Sequence, residues 1–343
     1  MKRIVFLIIL LLGVISCNQA PNQYVQIDGI AQGGNYVVKM NMRGVTVPVQ
    51  TVQDSISALL HQIDTTLSGY NKKSILSRFN AGEKVRPNSM FMEVYRLGYR
   101  LWERSGGALD FAAAPLYDAW GFGFRNSEFP TEETITQLLA RCGMGHLPSE
   151  LPVTDGYIDP ATMGYPQLNY NAIAQGYSCD IIAQYLYSIG VKDMLVDIGE
   201  IWCDGLNPAG KPWTVGVDRP VDHTSTEDHS ISLSGVWQSD GRPAGIVTSG
   251  NYRKFYIRDG RKYAHTINPR TGYPVEHNLL SATVVSNTSA ADSDAIATWC
   301  MVVGLQSAQV LILGDPNLEG YLIYTDGNGE MKEWASPGFQ LAE

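Results

Sequence analysis

Between Gly245 and Thr298 the chain leaves little freedom in how it can fold. A hydroxyl- and glycine-rich turn, Thr248-Ser249-Gly250, precedes a strand of alternating pattern at Tyr252, Phe255 and Ile257. An Asp259-Gly260 turn leads to a second strand that delivers His265. The Pro269-Arg270-Thr271-Gly272 loop reverses the chain, an apolar strand runs from Leu279 to Val285, and a helix follows with Asp294 and Thr298 on it. Elsewhere, too, helices alternate with hairpins rather than with single parallel strands. The expected class is therefore α+β, with mostly antiparallel sheets backed by helices.

The helix at the end of this stretch carries chemistry. Asp294 and Thr298 are four residues apart and share one face. A carboxylate and a hydroxyl on one face suit a hard cation such as Mg²⁺, which prefers oxygen ligands. Asp292 competes for the role, but Ser289-Ala290-Ala291-Asp292 fits a capping box with Ser289 at the N-cap. That assigns Asp292 to the helix end and Asp294 to the metal. The competing reading of Asp294 is a carboxylate that only complements the helix dipole.

Residues 1–17 read as a signal peptide. Lys2 and Arg3 form a short basic region, and Ile4 to Leu12 is apolar but too short to span a bilayer as a stable anchor. Val14-Ile15-Ser16-Cys17 matches a bacterial lipoprotein cleavage box, which makes Cys17 the lipidation site; an ordinary secretory signal with an incidental cysteine is the alternative. Residues 18–28 are a polar tether and 29–343 the folded domain. The expected location is extracytoplasmic, held to a membrane through lipid. With 44% hydrophobic and 17% charged residues, the 343-residue chain can build a sizeable core, and its net charge of −9 argues against a nucleic-acid partner. Of the remaining cysteines, Cys179 and Cys300 fall on expected helices as buried thiols. Cys142, Cys179, Cys203 and Cys300 contain no CxxC pair, so a disulfide is possible but cannot be paired from sequence.

Upstream, Gly29 to Tyr36 places adjacent glycines before a strand, as either a hairpin bend or a close backbone approach to a ligand. Val52, Ile56, Leu59, Leu60, Ile63 and Leu67 recur at helical spacing, and a second helix covers Phe91 to Glu103. Gly106 to Gly123 reads as a glycine turn, a short strand, a Pro115-initiated helical turn and an aromatic-glycine loop. A surface helix capped by Thr131 reaches Cys142, and 143–167 is irregular. Leu168 to Tyr177 is a strand turning into a helix that stops at Gly190, and Met194 to Ile201 is one strand. Val221 to Pro243 is a polar loop, whose His223 and His229 have no partner at metal-ligand spacing. A helix at Leu305–Leu313 and strands at Gly320–Thr325 and Glu330–Trp334 complete the chain.

These pieces together resemble the ApbE family of flavin transferases. The resemblance runs through Gly106-Gly107-Ala108-Leu109-Asp110 to Trp120-Gly121-Phe122-Gly123, Leu168 to Tyr177, Ser249-Gly250-Asn251-Tyr252, His265-Thr266-Ile267-Asn268-Pro269-Arg270-Thr271-Gly272, and Asp294-Ala295-Ile296-Ala297-Thr298. It implies duplicated T-fold-like units with FAD bound between them. It also implies Mg²⁺-dependent transfer of FMN from FAD to a threonine of an acceptor flavoprotein, with AMP released. The family's usual acceptors belong to ion-pumping respiratory complexes.

By the same resemblance, His265 is the catalytic base, and Asp294, Thr298 and the Ala172 carbonyl hold the metal. Gln32, Tyr70, Ala108, Leu109, Asp110, Asn169, Gln175 and Ile267 line the FAD site, and Trp120 to Phe122 close its wall. The chain departs from the family at Gln32 and Gly34, where Met and Thr are usual, and at Asn169, Gln175 and Asn268, where charge is lost. Those losses keep two alternatives open: an FAD pyrophosphatase yielding FMN and AMP, and a non-catalytic flavin-binding lipoprotein.

Overall fold

The computed structural model describes residues 23–123, 129–220, 232–251, 255–258 and 261–342. Cys17 and its box, His223, His229, Tyr252 and the Asp259-Gly260 turn lie outside the described residues. The chain opens with a hairpin of β1 (Tyr24–Ala31) and β2 (Gly34–Asn41). Helices α1 (Val49–Leu67), α2 (Ile75–Asn80), α3 (Ser89–Arg104), α4 (Ala114–Ala119), α5 (Glu132–Leu139) and α6 (Ala174–Ser188) follow. Then come β3 (Met194–Asp197), β4 (Ile201–Asp204), β5 (Thr214–Asp218), β6 (Leu233–Gln238) and β7 (Ala244–Gly250). Two small hairpins, β8 (Phe255–Arg258) with β9 (Arg261–Ala264) and β10 (Ile267–Asn268) with β11 (Tyr273–Pro274), precede β12 (Leu279–Ser286). The chain ends with α7 (Ala290–Val303), α8 (Leu305–Leu313), β13 (Leu318–Thr325), β14 (Met331–Ala335) and β15 (Leu341–Ala342).

Eight strands join in the order β1-β2-β3-β4-β7-β12-β13-β14, antiparallel at every pairing. The sheet divides into two four-stranded halves that meet along β4 and β7. One half is backed by α1 and α6, the other by α7 and α8. Strand periodicity sorts side chains between the two faces. Met194 and Val196 enter the core under the helices with Ile56, Ile63, Tyr95 and Ile182. Leu195 and Cys203 face the opposite core, where Trp213, Trp237 and Phe339 pack beneath the three-stranded sheet β15-β6-β5. Behind the second half, Ala282 and Val284 meet Ile296, Cys300 and Ile312. This is the antiparallel sheet with helical backing that the sequence implied.

Local chemistry explains the elements. The apolar stripe of α1, at Val52, Ile56, Leu60, Ile63 and Leu67, is buried. Asn88 caps α3 by accepting from the Phe91 N–H, and Thr131 caps α5 by accepting from the Thr134 N–H. Between β1 and β2, Gln32 and Gly33 both take positive φ, 52° and 83°, as a two-residue hairpin turn matching strand twist requires. That selects the hairpin bend from the two readings of the Gly29–Tyr36 stretch.

Five expectations need correction. Residues 24–28, expected in the polar tether, belong to β1 and pair with β2, with Ile27 in the core. Thr248-Ser249-Gly250 is the end of β7 rather than a turn; it pairs with Thr283, Ala282 and Ser281, and the Thr248 and Thr283 hydroxyls bond across the ladder at 2.8 Å. Met194–Ile201 is broken at Gly199 (φ 87°) into two strands that pair with each other. Leu168–Tyr170 is no strand. Its backbone bonds go to the Asn80 carboxamide, which donates to Leu168 O and accepts from Leu168 N–H, both at 2.8 Å, and from Asn169 N–H to Phe111 O at 2.8 Å. Within the segment read as a polar loop, β6 pairs with β5 and places Trp237 in the core.

Candidate active site

The site is built where α6, α7 and β7 touch. Gly176 on α6 and Gly245 on β7 both press on Ala290 at the start of α7. A Cβ at Gly176 would lie 2.4 Å from Ala290 O, and one at Gly245 would lie 2.6 Å from Ala290 Cα. This close approach brings the Gly176 N–H to 3.2 Å from Asp294 Oδ2. Asp294 is only 5% exposed, and burial holds its carboxyl well above the usual carboxylate range. The Gly176 amide works against that shift, and the nearby Asp180 charge adds to it. Thr298, one turn on, has its hydroxyl 3.4 Å from that of Ser249 near the end of β7. Ser289 caps the helix by accepting from the Asp292 N–H at 2.9 Å, and the Asp292 carboxylate accepts from the Thr288 hydroxyl at 2.7 Å.

The donor chemistry fits a hard cation. Among the described residues, only the Gly176 N–H donates to the Asp294 carboxylate, which has acceptor positions to spare. Two hydroxyls, on Thr298 and Ser249, lie together within the next turn. Ala172 is half-buried in the turn just before α6, four residues ahead of Gly176. No group of three His, Cys, Asp or Glu residues able to hold a metal occurs among the described residues; Asp294 with the Thr298 and Ser249 hydroxyls offers one carboxylate and neutral oxygens.

His265 approaches the same end of β7. It follows β9 and is half-buried, with Phe122 edge-on to its ring at 6.3 Å between centroids. Its neighbour Thr266 donates to Asn251 Oδ1 at 2.6 Å, and Asn251 lies two residues beyond Ser249. The next loop is fixed by its own backbone. Asn268 Oδ1 accepts from Arg270 N–H at 3.0 Å, and Asn268 O accepts from Gly272 N–H at 2.8 Å. Arg270 then reaches the carbonyls after α3, donating to Ser105 O at 2.8 Å and Gly106 O at 2.7 Å. Trp120 donates to Gly272 O at 2.7 Å and stacks on Tyr263.

The other expected flavin contacts divide. Gln32 donates to Ser178 Oγ on α6, and Gln175 donates to Ile198 O at 3.2 Å, so both side chains converge on α6 and the β3–β4 turn. Tyr70 is 67% exposed in the turn after α1. Asn169 Oδ1 accepts from Asn171 N–H at 2.9 Å, a local turn leading to Ala172. Ala108, Leu109 and Ile267 are buried. Leu109 joins the core under α3, and Ile267 packs with Leu116, Trp120 and Ile135. Asp110 spends its oxygens on the backbone, accepting from Ala112 N–H and Met144 N–H, each at 2.9 Å. Burial pushes its carboxyl up to about 6. It ties the loop before α4 to the Gly143-Met144 turn.

Two contributors escaped sequence reading. Composition suggests a turn at Ser249, yet its strand position sets its hydroxyl beside Thr298. Asp180 on α6 accepts from the Ala290 and Ala291 N–H groups at the start of α7; its partners are 110 and 111 residues away, beyond any local pattern. A groove of about 600 Å³ lined by Tyr24, Lys39 and Trp213 shares no residue with this site. The described cysteines are free thiols; Cys179, Cys203 and Cys300 are buried, as expected for the first and last.

Known proteins resemble this chain in sequence and fold. The ApbE family model matches residues 32–322. An FAD:protein FMN transferase of Vibrio cholerae is 31% identical over 334 residues, covering 94% of this chain and 93% of the relative. The Escherichia coli protein of the same name is 31% identical over 84% of this chain and 81% of its own length. Among solved structures, the apo form of the Pseudomonas stutzeri flavinyl transferase ApbE superposes with a TM-score of 0.76 at 30% identity, covering 92% of this chain and 95% of its own. With a family match across most of its length and the same fold as these relatives, the chain belongs to the ApbE family.

Proposed function

We propose that this protein is an FAD:protein FMN transferase that moves FMN from FAD onto a threonine hydroxyl of an acceptor protein. The observation that carries the reading is the convergence on one end of β7. Thr298 on α7 approaches it from one side, through Ser249, with Asp294 one turn earlier on the same face and tied to Gly176 of α6. His265 approaches through the Thr266–Asn251 bond. Phosphoryl transfer needs little covalent chemistry from the protein, only positioning and charge stabilisation. His265 accepts the proton of the acceptor hydroxyl. That oxygen forms a bond to the FMN-side phosphorus, the bond from phosphorus to the bridging oxygen breaks, and AMP leaves with that oxygen. Asp294, Thr298 and the Ala172 carbonyl would hold Mg²⁺, which when bound neutralises the pyrophosphate. Tyr70, Gln32, Gln175 and the backbone around Asn169 would contact the flavin nucleotide.

Within this reading, Cys17 carries lipid and holds the enzyme at a membrane outside the cytoplasm, where its acceptor is a subunit of an ion-pumping respiratory complex. The acidic chain, at net charge −9, suits a protein partner rather than nucleic acid. The test is incubation with FAD, Mg²⁺ and an acceptor peptide containing a target threonine. Covalent flavin on the peptide supports transfer. Free FMN with AMP on an unmodified peptide replaces it with hydrolysis, and unchanged FAD replaces it with binding alone.

A further inference from the structure

We propose that Asp180 is a positioning residue that sets the height of the metal-binding face of α7, an inference that rests on the reading of Asp294 and Thr298 above. Asp180 lies on α6 four residues after Gly176, so the two share a face. Its Oδ1 accepts from Ala290 N–H at 2.7 Å and its Oδ2 from Ala291 N–H at 3.0 Å. The Ser289 hydroxyl takes the Asp292 N–H. Three otherwise orphaned amides of the first turn of α7 are thus satisfied, two of them by a different helix.

A local cap fixes only where a helix starts. A carboxylate from α6 also fixes where α7 sits along α6. The grip is reciprocal: α6 accepts from α7 at Asp180, and α7 accepts from α6 at Asp294 through the Gly176 N–H. Gly176 and Ala290 leave no slack between these points. Sliding α7 along its axis would break both Asp180 bonds, and it would also move Asp294 and Thr298 away from the turn that holds Ala172. Asp180 is not itself a ligand in this scheme, because each of its oxygens already serves an amide. The geometry calls for a carboxylate: two N–H donors converge on it, and an Asn carboxamide would turn its own N–H₂ toward one of them.

The experiment uses the full chain and Mn²⁺ as the metal probe. Asp180→Asn, Asp180→Glu and Asp294→Asn are compared with wild type. The readouts are Mn²⁺ binding by EPR without FAD, amide exchange at Ala290 and Ala291, thermal unfolding in EDTA, FAD binding, and FMN transfer across a Mg²⁺ titration. Asp180→Asn should weaken Mn²⁺ binding about 10–100-fold, as loss of a group that orients a ligand does. It should speed exchange at Ala290 and Ala291, and transfer should recover at high Mg²⁺. Asp294→Asn should not recover.

Wild-type Mn²⁺ affinity in Asp180→Asn would overturn the inference while leaving the metal reading intact. So would an equal loss of Mn²⁺ and FAD binding in an Asp180→Asn protein that folds. If Asp180→Asn does not fold, Asp180→Glu, which keeps two acceptor oxygens on a longer stem, decides by the same measurement: weakened binding supports the role and unchanged binding overturns it. A wild-type protein that binds no Mn²⁺ and transfers FMN in EDTA would overturn the metal reading first, and this inference with it.

Discussion

The Gly176 amide lies 3.2 Å from the Asp294 carboxylate at a point where α6 and α7 touch through a glycine and an alanine. A methyl group at Gly176 would meet Ala290 O at 2.4 Å and Ala291 Cα at 2.8 Å. Both obstacles are backbone and cannot swing aside. Gly176→Ala should therefore push the helices apart, at a cost of about 1–3 kcal/mol, and draw the amide away from Asp294. Urea denaturation measures the first effect and Mn²⁺ binding the second. A variant with wild-type stability and metal affinity would show that the contact is looser than its geometry implies.

Asp294→Ala separates chemistry from fold. The carboxylate is buried with one backbone donor, and burial disfavours its charge. Removing it should leave the metal-free protein folded in EDTA at neutral pH, with relief of the buried charge offsetting the lost Gly176 bond in part, while Mg²⁺-dependent FMN transfer is lost. Wild-type transfer that ignores EDTA would remove the metal from the mechanism.

Asp110 gives a pH signature. Its carboxyl is pushed up to about 6 by burial, against the pull of the Ala112 and Met144 amides and of His146. Between its ordinary value of 3.8 and about 6, the folded chain keeps a proton that the unfolded chain has released. Stability from this group is thus fully present below the lower value and is lost as pH rises through the upper one. Asp110→Asn does not titrate, so the stability difference should move in the variant's favour from about pH 4 to about pH 6 and then level off. Denaturation midpoints across that range measure it. A pH-independent difference would mean that the carboxyl does not titrate abnormally.

How much could be read from the sequence follows from how far each interaction reaches. The α1 stripe, the Ser289 and Thr131 caps and the Asp294–Thr298 face are set by residues within two turns of each other, and they could be read directly. Thr248-Ser249-Gly250 looked like a turn because its composition suits one; pairing with β12, more than thirty residues on, overrides that preference. The Leu168 segment alternates like a strand, but Asn80 intercepts its hydrogen bonds from 88 residues away. Ala108, Leu109 and Ile267 sit in the motifs that resemble the family's, and their side chains are buried. A motif marks a neighbourhood, not which of its side chains faces the ligand. Asp180 shows the same limit, since a half-buried helix carboxylate gives no local sign that its partner is another helix's first turn.

Cys17→Ser should release the protein from membranes without changing its melting temperature. The Val14–Cys17 box and the polar residues after it motivate this. Fractionation with metabolic lipid labelling checks it, and a variant that stays in the membrane with its label intact would end the lipoprotein reading.

His265→Ala tests the base. The β8–β9 hairpin that precedes His265 pairs outside the eight-stranded sheet. What anchors the segment is the Thr266 hydroxyl on Asn251 and Ile267 among Leu116, Trp120 and Ile135. Truncating the imidazole should therefore leave the fold in place. FAD binding should persist too, because the nucleotide contacts assigned to Tyr70, Gln32 and Gln175 lie on α6 and the elements before it, not on this segment. Transfer to the acceptor should fall by about 10²–10⁴-fold, the usual contribution of a general base. The comparison to make is FAD affinity by fluorescence against single-turnover transfer on the same preparation. If binding, transfer and melting temperature fall together, His265 belongs to the packing around Phe122, and the acceptor hydroxyl must lose its proton to another group.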